Sequence, residues 1–228
     1  MAEIFLETLK SSDRESVDLS SLGEQIKSQL NKACSESSGW ITILIGLKTQ
    51  NGPRTDIDIS IFGQLNNFYI TLNSEKFMIN TFAAVIECKG HREICKDNSL
   101  PGKGKFRISA NNVEVCYRHK ITKNYYWSNA TSQSAECARS LKSEIGNHIN
   151  VYPYVNDFVW LWNVNSNLNN DSIFGSLFNS EKFFRKIILD AINNKKGTDR
   201  LMINILDKKI YRAIGDNKSS KFNSSPLL

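Results

Sequence analysis

The chain has 228 residues, of which 40% are hydrophobic and 23% are charged. These values are close to the averages for globular proteins and exclude a fibrous or wholly disordered chain. The longest apolar run, residues 40–47, is far shorter than the roughly 20 residues that a membrane-spanning helix needs, so we expect no membrane partner. Acidic residues stand near the start, where a signal peptide carries basic ones, which predicts a cytoplasmic protein.

The net charge of +6 is unevenly distributed along the chain. Residues 1–88 hold seven Lys and Arg against eleven Asp and Glu, whereas residues 89–123 hold nine against three. Such a basic stretch attracts a phosphate backbone, with an affinity that falls as salt rises. On charge alone, a solvated lysine-rich loop is an equally good interpretation.

The first predicted elements are a helix and three extended segments. Apolar residues at helical spacing predict a helix from about residue 20 to 36, and residues 21–24 have the spacing of a capping box at its start. Residues 40–47 and 56–62 are predicted strands separated by an Asn-Gly-Pro turn signal, so they should form a hairpin. Residues 67–80 are expected to add a short extended pair.

A central strand and a long loop are predicted next. Residues 81–89 are nearly all apolar, as in a strand that is buried on both faces in the middle of a sheet. Glycine, proline and lysine dominate residues 90–105, which predicts a long mobile loop ending at a strand over residues 113–117. Loops of this length are uncommon unless they are functional.

The second predicted helix begins after Asn129, a good N-cap, and ends at Gly146. Small and aliphatic residues line one face of it, which lets a helix lie close to a sheet. That stripe contains Ala130, Ser134, Cys137, Ala138, Leu141 and Ile145.

The end of the chain is predicted to hold three more elements and a tail. Residues 157–162 have the pattern of a core strand, 180–192 of an amphipathic helix and 201–213 of an extended pair. Residues 215–228 are rich in Ser, Asn and Lys, which predicts a disordered tail.

Asp58, Glu87 and Lys89 are the candidate catalytic residues. Successive side chains of a strand point to opposite faces, so Glu87 and Lys89 share a face that a carboxylate from another strand can join. Asp58 and Glu87 would supply hard oxygen ligands for Mg²⁺, with Mn²⁺ as a substitute. Lys89 would position the attacking water or help to deprotonate it. This set of side chains suits hydrolysis of a phosphodiester.

Two alternatives stay open for these residues. Asp56 lies on the same strand face as Asp58 and could be the metal ligand in its place. Glu87 and Lys89 could be a solvated pair at a strand end. A carboxylate in a strand buried on both faces needs metal or hydrogen bonds to offset lost hydration, which favours the catalytic interpretation.

Asp-x-Asp on one strand and Glu-x-Lys at the end of the next long apolar strand resemble the PD-(D/E)xK nuclease superfamily. More narrowly, the chain resembles the nuclease-related domain (NERD) family. In that family a Gly-Glu pair opens the first helix, an acid-Ile-Asp step begins the second strand, Glu-x-Lys closes the third, and a Gln lies near the start of the following helix. The corresponding residues here are Gly23-Glu24, Asp56-Ile57-Asp58, Glu87-Cys88-Lys89 and Gln133.

The resemblance covers about residues 20–163 and departs from the family pattern in two places. Ile57 stands where the superfamily name has Pro. The long interval between Asp58 and Glu87 requires an insertion, such as the extended pair at 67–80.

The resemblance implies an α/β fold with a restriction-endonuclease-like core, in which a helix, three strands, a helix and a strand form a mixed sheet flanked by helices. It implies metal-dependent cleavage of nucleic acid, with DNA favoured, by Asp58, Glu87, Lys89, Glu24 and Gln133, with Mg²⁺ held by the first two. Family members are often joined to helicase or kinase domains, which here would be partners on other chains.

The same resemblance divides the chain into four segments. Residues 1–19 are an N-terminal extension, 20–165 the nuclease-like domain and 166–214 an appendage with a helix and an extended pair. Residues 215–228 are the predicted tail.

Structural roles compete with several of these functional ones. Glu24 lies opposite the apolar side of its predicted helix and already has a capping role. Gln133 could orient water or contact a phosphate, or make a buried hydrogen bond. Asp207 and Lys209 are a second acid and lysine after an apolar run, but they lack an acid-bearing strand and a helix before them in the right order.

Two broader alternatives also stay open. Tyr117, Tyr125, Tyr126 and Trp127 stand among basic residues and could stack on unpaired bases, but aromatic residues near a strand end lie more often in a core, which we favour. The main rival to a nuclease is a non-catalytic nucleic-acid-binding or protein-interaction module that kept the fold.

Overall fold

A six-stranded mixed sheet with helices on both faces forms the centre of the protein. The structure, a computed structural model, describes residues 1–9, 14–95, 98–109, 112–149, 152–165, 168 and 170–193, without the side chains of 14–18 and 149. The extended pair predicted at 201–213, the predicted tail, and Asp207 and Lys209 lie outside the described residues.

Three helices and twelve strands lie within the described residues. In chain order they are β1 (Glu3–Thr8), α1 (Arg14–Ala33), β2 (Ser38–Lys48), β3 (Asp56–Asn66), β4 (Tyr69–Leu72), β5 (Glu75–Met78), β6 (Thr81–Cys88), β7 (Glu93–Ile94), β8 (Lys105–Ser109), β9 (Asn112–Arg118), β10 (Tyr125–Asn129), α2 (Ala130–Ile149), β11 (Asn156–Trp160), β12 (Ile173–Phe174) and α3 (Ser180–Asn193). None of the described helices is long and apolar enough to cross a membrane.

The main sheet has the strand order β1-β2-β3-β6-β11-β12. β3 is antiparallel to both of its neighbours, β2 and β6. β11 is parallel to β6, and β1 is parallel to β2. Because parallel neighbours need a crossover, the chain between β6 and β11 passes through α2. β6 thus lies inside the sheet, as predicted.

Two apolar cores lie on opposite faces of this sheet. On one face Ile43 of β2 belongs to the same buried cluster as Ile26 of α1 and Phe183 of α3. On the other face Leu44 of β2 belongs to a cluster with Leu141 of α2. Adjacent residues of one strand therefore serve different cores, as the two-residue period of a strand requires.

Aromatic side chains pack α3 against the sheet. The ring centroid of Phe158 in β11 lies 5.3 Å from that of Phe174 and 5.1 Å from that of Phe183. None of these three side chains is more than 1% exposed. Asn179 caps α3, because its Oδ1 accepts a hydrogen bond from the Lys182 N–H at 2.8 Å.

Most predicted strands are confirmed. The strands predicted at 40–47, 56–62 and 81–89 are β2, β3 and β6, and β2 and β3 form the expected hairpin. The extended pair predicted at 67–80 is the hairpin of β4 and β5, which fills the long interval between β3 and β6. The chain is a mixed α/β protein, as the predicted order of helices and strands indicates.

The predicted start of the first helix is wrong. α1 begins at Arg14, so Ser21 and Glu24 lie inside the helix and form no capping box at its N-terminus. A Cβ atom at Gly23 would lie 2.8 Å from Cδ1 of Ile45. Gly23 therefore allows the helix to approach the sheet closely, a tertiary requirement that capping patterns do not reveal. The residues before α1 also form β1, a strand that the sequence did not predict.

The predicted end of the second helix is wrong as well. α2 continues past Gly146 to Ile149, and a Cβ atom at Gly146 would lie 2.2 Å from the ring of Tyr152. The glycine makes room for that ring and does not end the helix. The predicted N-cap is confirmed, since Oδ1 of Asn129 accepts the Ser132 N–H at 2.8 Å.

The segment predicted as a long loop contains part of a second sheet. β7 lies within residues 90–105 and β8 begins at Lys105, and with β9 and β10 they form a sheet of order β10-β9-β8-β7. Phe106 and Val115 of this sheet are buried in a third cluster with Leu161, which follows β11. β7 and β8 are short and rich in charge, so the alternating pattern of a strand is hard to recognise there.

The aromatic cluster is more exposed than we predicted. Tyr125 and Tyr126 are 38% and 47% exposed, so the preference for a core position is wrong for these two. Tyr117 and Trp127 are half-buried. The β9–β10 hairpin therefore presents aromatic rings to solvent.

We expect Phe158→Ala to lower the free energy of unfolding by about 3–5 kcal/mol, because it leaves a cavity among the rings that pack α3 on the sheet. Urea denaturation measures this loss. Leu177→Ala is the control, since Leu177 is 67% exposed and its truncation should change stability by no more than about 0.5 kcal/mol. Equal effects of the two substitutions would contradict the aromatic packing.

Candidate active site

Glu87 and Lys89 form a buried ion pair at the end of the central strand β6. The Lys89 Nζ donates to the Glu87 Oε1 at 2.5 Å, and the two residues are 9% and 7% exposed. The Lys89 N–H donates to the carbonyl of Trp160 in β11 at 2.8 Å, which fixes its backbone. Buried charges are costly unless they are paired, and here each charge is the partner of the other.

Asp58 lies on the neighbouring strand at the same level. The last registered pair of β3 and β6 is Ile59 with Ile86, and Asp58 and Glu87 are the next residues towards the site on each strand. The Asp58 Oδ2 accepts the N–H of Cys88 at 2.8 Å. One carboxylate thus binds the backbone between the two residues of the ion pair, and the structure brings Asp58, Glu87 and Lys89 together.

A break in the β2–β3 ladder sets the position of Asp58. Ile45 pairs with Ile59 and Leu47 with Ile57, but no pair joins Gly46 and Asp58. Ile45 and Ile59 belong to the core under α1. Leu47 and Ile57 belong to the core under α2. Both strands therefore change face at this level, and Gly46 permits the change with a φ of 71°.

Cys137 of α2 contacts both acidic strands, although its helical spacing predicted only a packing role. Its Sγ lies 3.6 Å from the Glu87 Oε2 and 3.7 Å from the carbonyl oxygen of Asp56. Burial raises the pKa of the Cys137 thiol to about 12, with further contributions from the Glu87 and Asp58 carboxylates. The thiol stays protonated at neutral pH and donates to the acidic group.

Arg54 is a second residue that the sequence did not single out. It follows the turn after β2, and its Nε lies 3.1 Å from the Glu136 Oε2 of α2. Burial alone would lower the pKa of Arg54, but the Glu136 hydrogen bond and the nearby Glu87 carboxylate raise it. No sequence pattern predicts that Arg54, in a turn, lies near Glu87, which is more than thirty residues away in the chain.

Lys89 is held as a cation. Burial alone would lower its pKa, but the Glu87 carboxylate and Tyr117 outweigh burial and raise the pKa above the ordinary lysine range. The Nζ lies 5.6 Å from the centre of the Tyr117 ring. An amine that stays protonated can donate to water or to a phosphate oxygen, but it cannot accept a proton.

His91 fixes the other side of the Tyr117 ring. The two rings stand edge to face with centroids 5.5 Å apart, and the His91 Nε2 lies 3.0 Å from the Cys116 carbonyl. Burial lowers the pKa of His91, and the nearby Lys89 lowers it further, while the Cys116 carbonyl raises it. The imidazole is therefore neutral at physiological pH.

Gln133 lies on α2, on the face of the sheet that holds Cys137, whereas Glu24 lies on α1, on the opposite face. Gln133 lies one turn before Cys137 on α2, and its Nε2 donates to the Ser128 Oγ at 2.7 Å, which joins the helix to the end of β10. Glu24 is exposed on α1, which covers the opposite face of the sheet from Cys137. Asp56 is exposed at the first residue of β3, so its side chain is not part of the buried group.

The donor set fits a hard divalent cation such as Mg²⁺. Among the described residues no group of three or more His, Cys, Asp or Glu side chains is placed to hold a metal. Mg²⁺ usually keeps several waters and takes one or two carboxylates together with substrate phosphates, so Asp58 and Glu87 suffice in number and chemistry. The Cys137 sulfur is a soft donor, and Mg²⁺ prefers oxygen ligands.

We expect Glu87→Gln to leave Lys89 as a buried ammonium without its partner, at a cost of about 3–5 kcal/mol of unfolding free energy near neutral pH. Burial would then lower the pKa of Lys89 in the folded variant, so the unfolded chain would bind more protons and stability would rise with pH. In the wild type the pKa of Lys89 is raised, so its ion pair contributes fully to the free energy of unfolding until the pH exceeds the ordinary lysine pKa. The difference in unfolding free energy between the wild type and the variant should therefore become smaller as the pH rises above neutrality.

Urea denaturation of the wild type and the variant at several pH values measures this difference. The matched control is the double variant Glu87→Gln/Lys89→Met, which removes both charges and should show no pH trend relative to the wild type. The same trend in the double variant would contradict the assignment to Lys89.

No protein-family model, no curated protein and no solved structure matches this chain.

Proposed function

We propose that this chain is a metal-dependent nuclease that hydrolyses phosphodiester bonds, with DNA as the favoured substrate. The observation that carries the proposal is the buried ion pair of Glu87 and Lys89 with the half-buried Asp58 carboxylate beside it on the adjacent strand. A buried ion pair is costly to a fold, and such groups concentrate at functional sites.

The order of the elements supports the same proposal. α1, β2, β3, β6, α2 and β11 reproduce the order of helix, three strands, helix and strand of a restriction-endonuclease-like core. β3 and β6 are neighbours, and β6 and β11 are parallel across α2. This order supports the proposal that the core is restriction-endonuclease-like, with the β4–β5 hairpin as an insertion between the two acidic strands.

In the proposed site Asp58 and Glu87 would hold Mg²⁺, or Mn²⁺ in its place. When bound, the cation would supply Lewis-acid stabilisation of the charge that develops on the scissile phosphate. Lys89 donates hydrogen bonds that align the attacking water or a phosphate oxygen, and Tyr117 limits its movement. In the hydrolysis a water oxygen bonds to phosphorus, the bond to the leaving oxygen breaks, and the leaving oxygen receives the proton that the water loses.

We expect Lys89→Ala and Glu87→Ala each to slow cleavage of DNA by about 10²–10⁴-fold in Mg²⁺ or Mn²⁺, because each removes a group that contacts the reacting atoms. Hydrolysis of a plasmid and of labelled oligonucleotides measures the rate. Lys32→Ala and Glu36→Ala are the controls, since both residues are exposed at or just after the end of α1. Cleavage that survives both site substitutions would overturn the proposal.

A non-cutting nucleic-acid-binding or protein-interaction module is the second candidate, and one observation favours it. Both carboxylate oxygens of Glu87 have protein partners, Lys89 Nζ and Cys137 Sγ. A closed, mutually satisfied ion pair is what a structural role requires. A measurement of metal binding distinguishes the proposed nuclease from the non-cutting module.

We expect Mg²⁺ to raise the melting temperature of the wild type in a concentration-dependent way, because a ligand that binds only the folded state stabilises it. Asp58→Asn should abolish that rise, since an amide replaces one of the two carboxylates. Differential scanning fluorimetry with and without Mg²⁺ measures the effect, and Glu36→Gln serves as the control. A binding module would instead keep a salt-dependent affinity for DNA that is the same with and without metal.

A further inference from the structure

A row of aromatic rings leads away from the proposed catalytic lysine along the β9–β10 hairpin. Tyr117 and Tyr126 face each other in register, with ring centroids 6.2 Å apart. The His119 ring lies 6.5 Å from that of Tyr126, further towards the hairpin tip. Because Lys89 contacts Tyr117, the contacts run without interruption from the site to the outer end of the hairpin.

The outer end of this row is open to solvent. Tyr126 is nearly half exposed, and His119 is exposed at the end of β9. The inner end is rigid, because His91 packs on Tyr117 and the hairpin buries Val115 in the third core cluster. The rings are thus fixed at one end and accessible at the other, as a stacking surface requires.

Beyond Glu114 the charged residues of the hairpin are all basic. The chain between Glu114 and Glu136 contains no acidic residue, while Arg118, Lys120 and Lys123 lie along the exposed part of the hairpin. The Arg118 guanidinium lies 5.8 Å from the ring centre of Tyr125 on the other face of the hairpin. Exposed cations at the hairpin tip beside exposed rings suit a ligand that carries both phosphates and bases.

We propose that the β9–β10 hairpin binds single-stranded DNA and guides it to Lys89, with unpaired bases on the Tyr117–Tyr126 row and phosphates on Lys120 and Lys123 at the hairpin tip. This inference rests on the proposed nuclease function and names its substrate as an unpaired strand. A duplex keeps its base faces stacked on each other, so a row of rings adds nothing to duplex binding. The β10 strand also runs directly into α2, which places the bound strand beside the helix that carries Cys137.

The test compares Tyr126→Ala and Tyr126→Phe in binding to a single-stranded oligonucleotide and to a duplex of the same sequence. Fluorescence anisotropy in EDTA measures binding without cleavage. We expect Tyr126→Ala to weaken single-strand binding by about 5- to 100-fold and Tyr126→Phe to retain it, because stacking needs the ring and not the hydroxyl. Duplex binding should be unchanged in both variants.

Tyr69→Ala is the matched control. Tyr69 is 44% exposed on the β4–β5 hairpin, and the Lys76 Nζ lies 4.4 Å from its ring centre, so it is a tyrosine with a cation outside the row. We expect no loss of single-strand binding in this variant. Circular dichroism of all variants checks that the fold is intact.

Unchanged single-strand binding in Tyr126→Ala, or an equal loss for single strand and duplex, would overturn the inference. If cleavage survives Lys89→Ala while Tyr126→Ala still weakens single-strand binding selectively, the nuclease proposal fails and the hairpin is supported as a binding surface. If both tests succeed, cleavage of single-stranded DNA should fall with Tyr126→Ala through a raised KM at nearly unchanged kcat.

Discussion

The contact between the Lys89 ammonium and the Glu87 carboxylate is the interaction on which the site depends. Removing two charges from water costs several kcal/mol for each ion, and attraction in the interior offsets this only when the partners are close and further contacts satisfy them. Tyr117 and Cys137 provide such contacts on the two sides of the pair. Apolar side chains of similar volume would often stabilise the fold equally well, which supports the proposed catalytic role of the charged pair.

The architecture places this pair where a second acid can reach it. β6 lies between β3 and β11, so its end is enclosed by strands on both sides and by α2 above one face. The missing pair between Gly46 and Asp58 lies at the level of Glu87, and β3 changes face there. The Asp58 carboxylate accepts a hydrogen bond from the Cys88 N–H at this position. The two acids and the lysine are therefore a product of strand order and one local irregularity, and they need no long loop to bring them together.

The sequence predicted the parts of this molecule that depend on local periodicity. β2, β3 and β6 were recognisable because apolar runs and alternation are local signals, and Asn129 because capping is local too. The start of α1 and the end of α2 were mistaken, since Gly23 and Gly146 make room for Ile45 and Tyr152, which are distant in sequence. Cys137 and Arg54 were missed as site neighbours for the same reason. The spacing of Glu87 and Lys89 revealed the pair because two residues on one strand face are close by geometry alone.

The junction between β10 and α2 has a mechanical consequence. The strand ends at Asn129 and the helix begins at Ala130. The Gln133 Nε2 of α2 donates to the Ser128 Oγ of β10, and the Val113 N–H of β9 donates to the Thr131 Oγ1, so both strands of the hairpin are bonded to the first turns of the helix. Because no loop separates β10 from α2, a displacement of the hairpin would also move the helix that carries Cys137, the thiol beside Glu87.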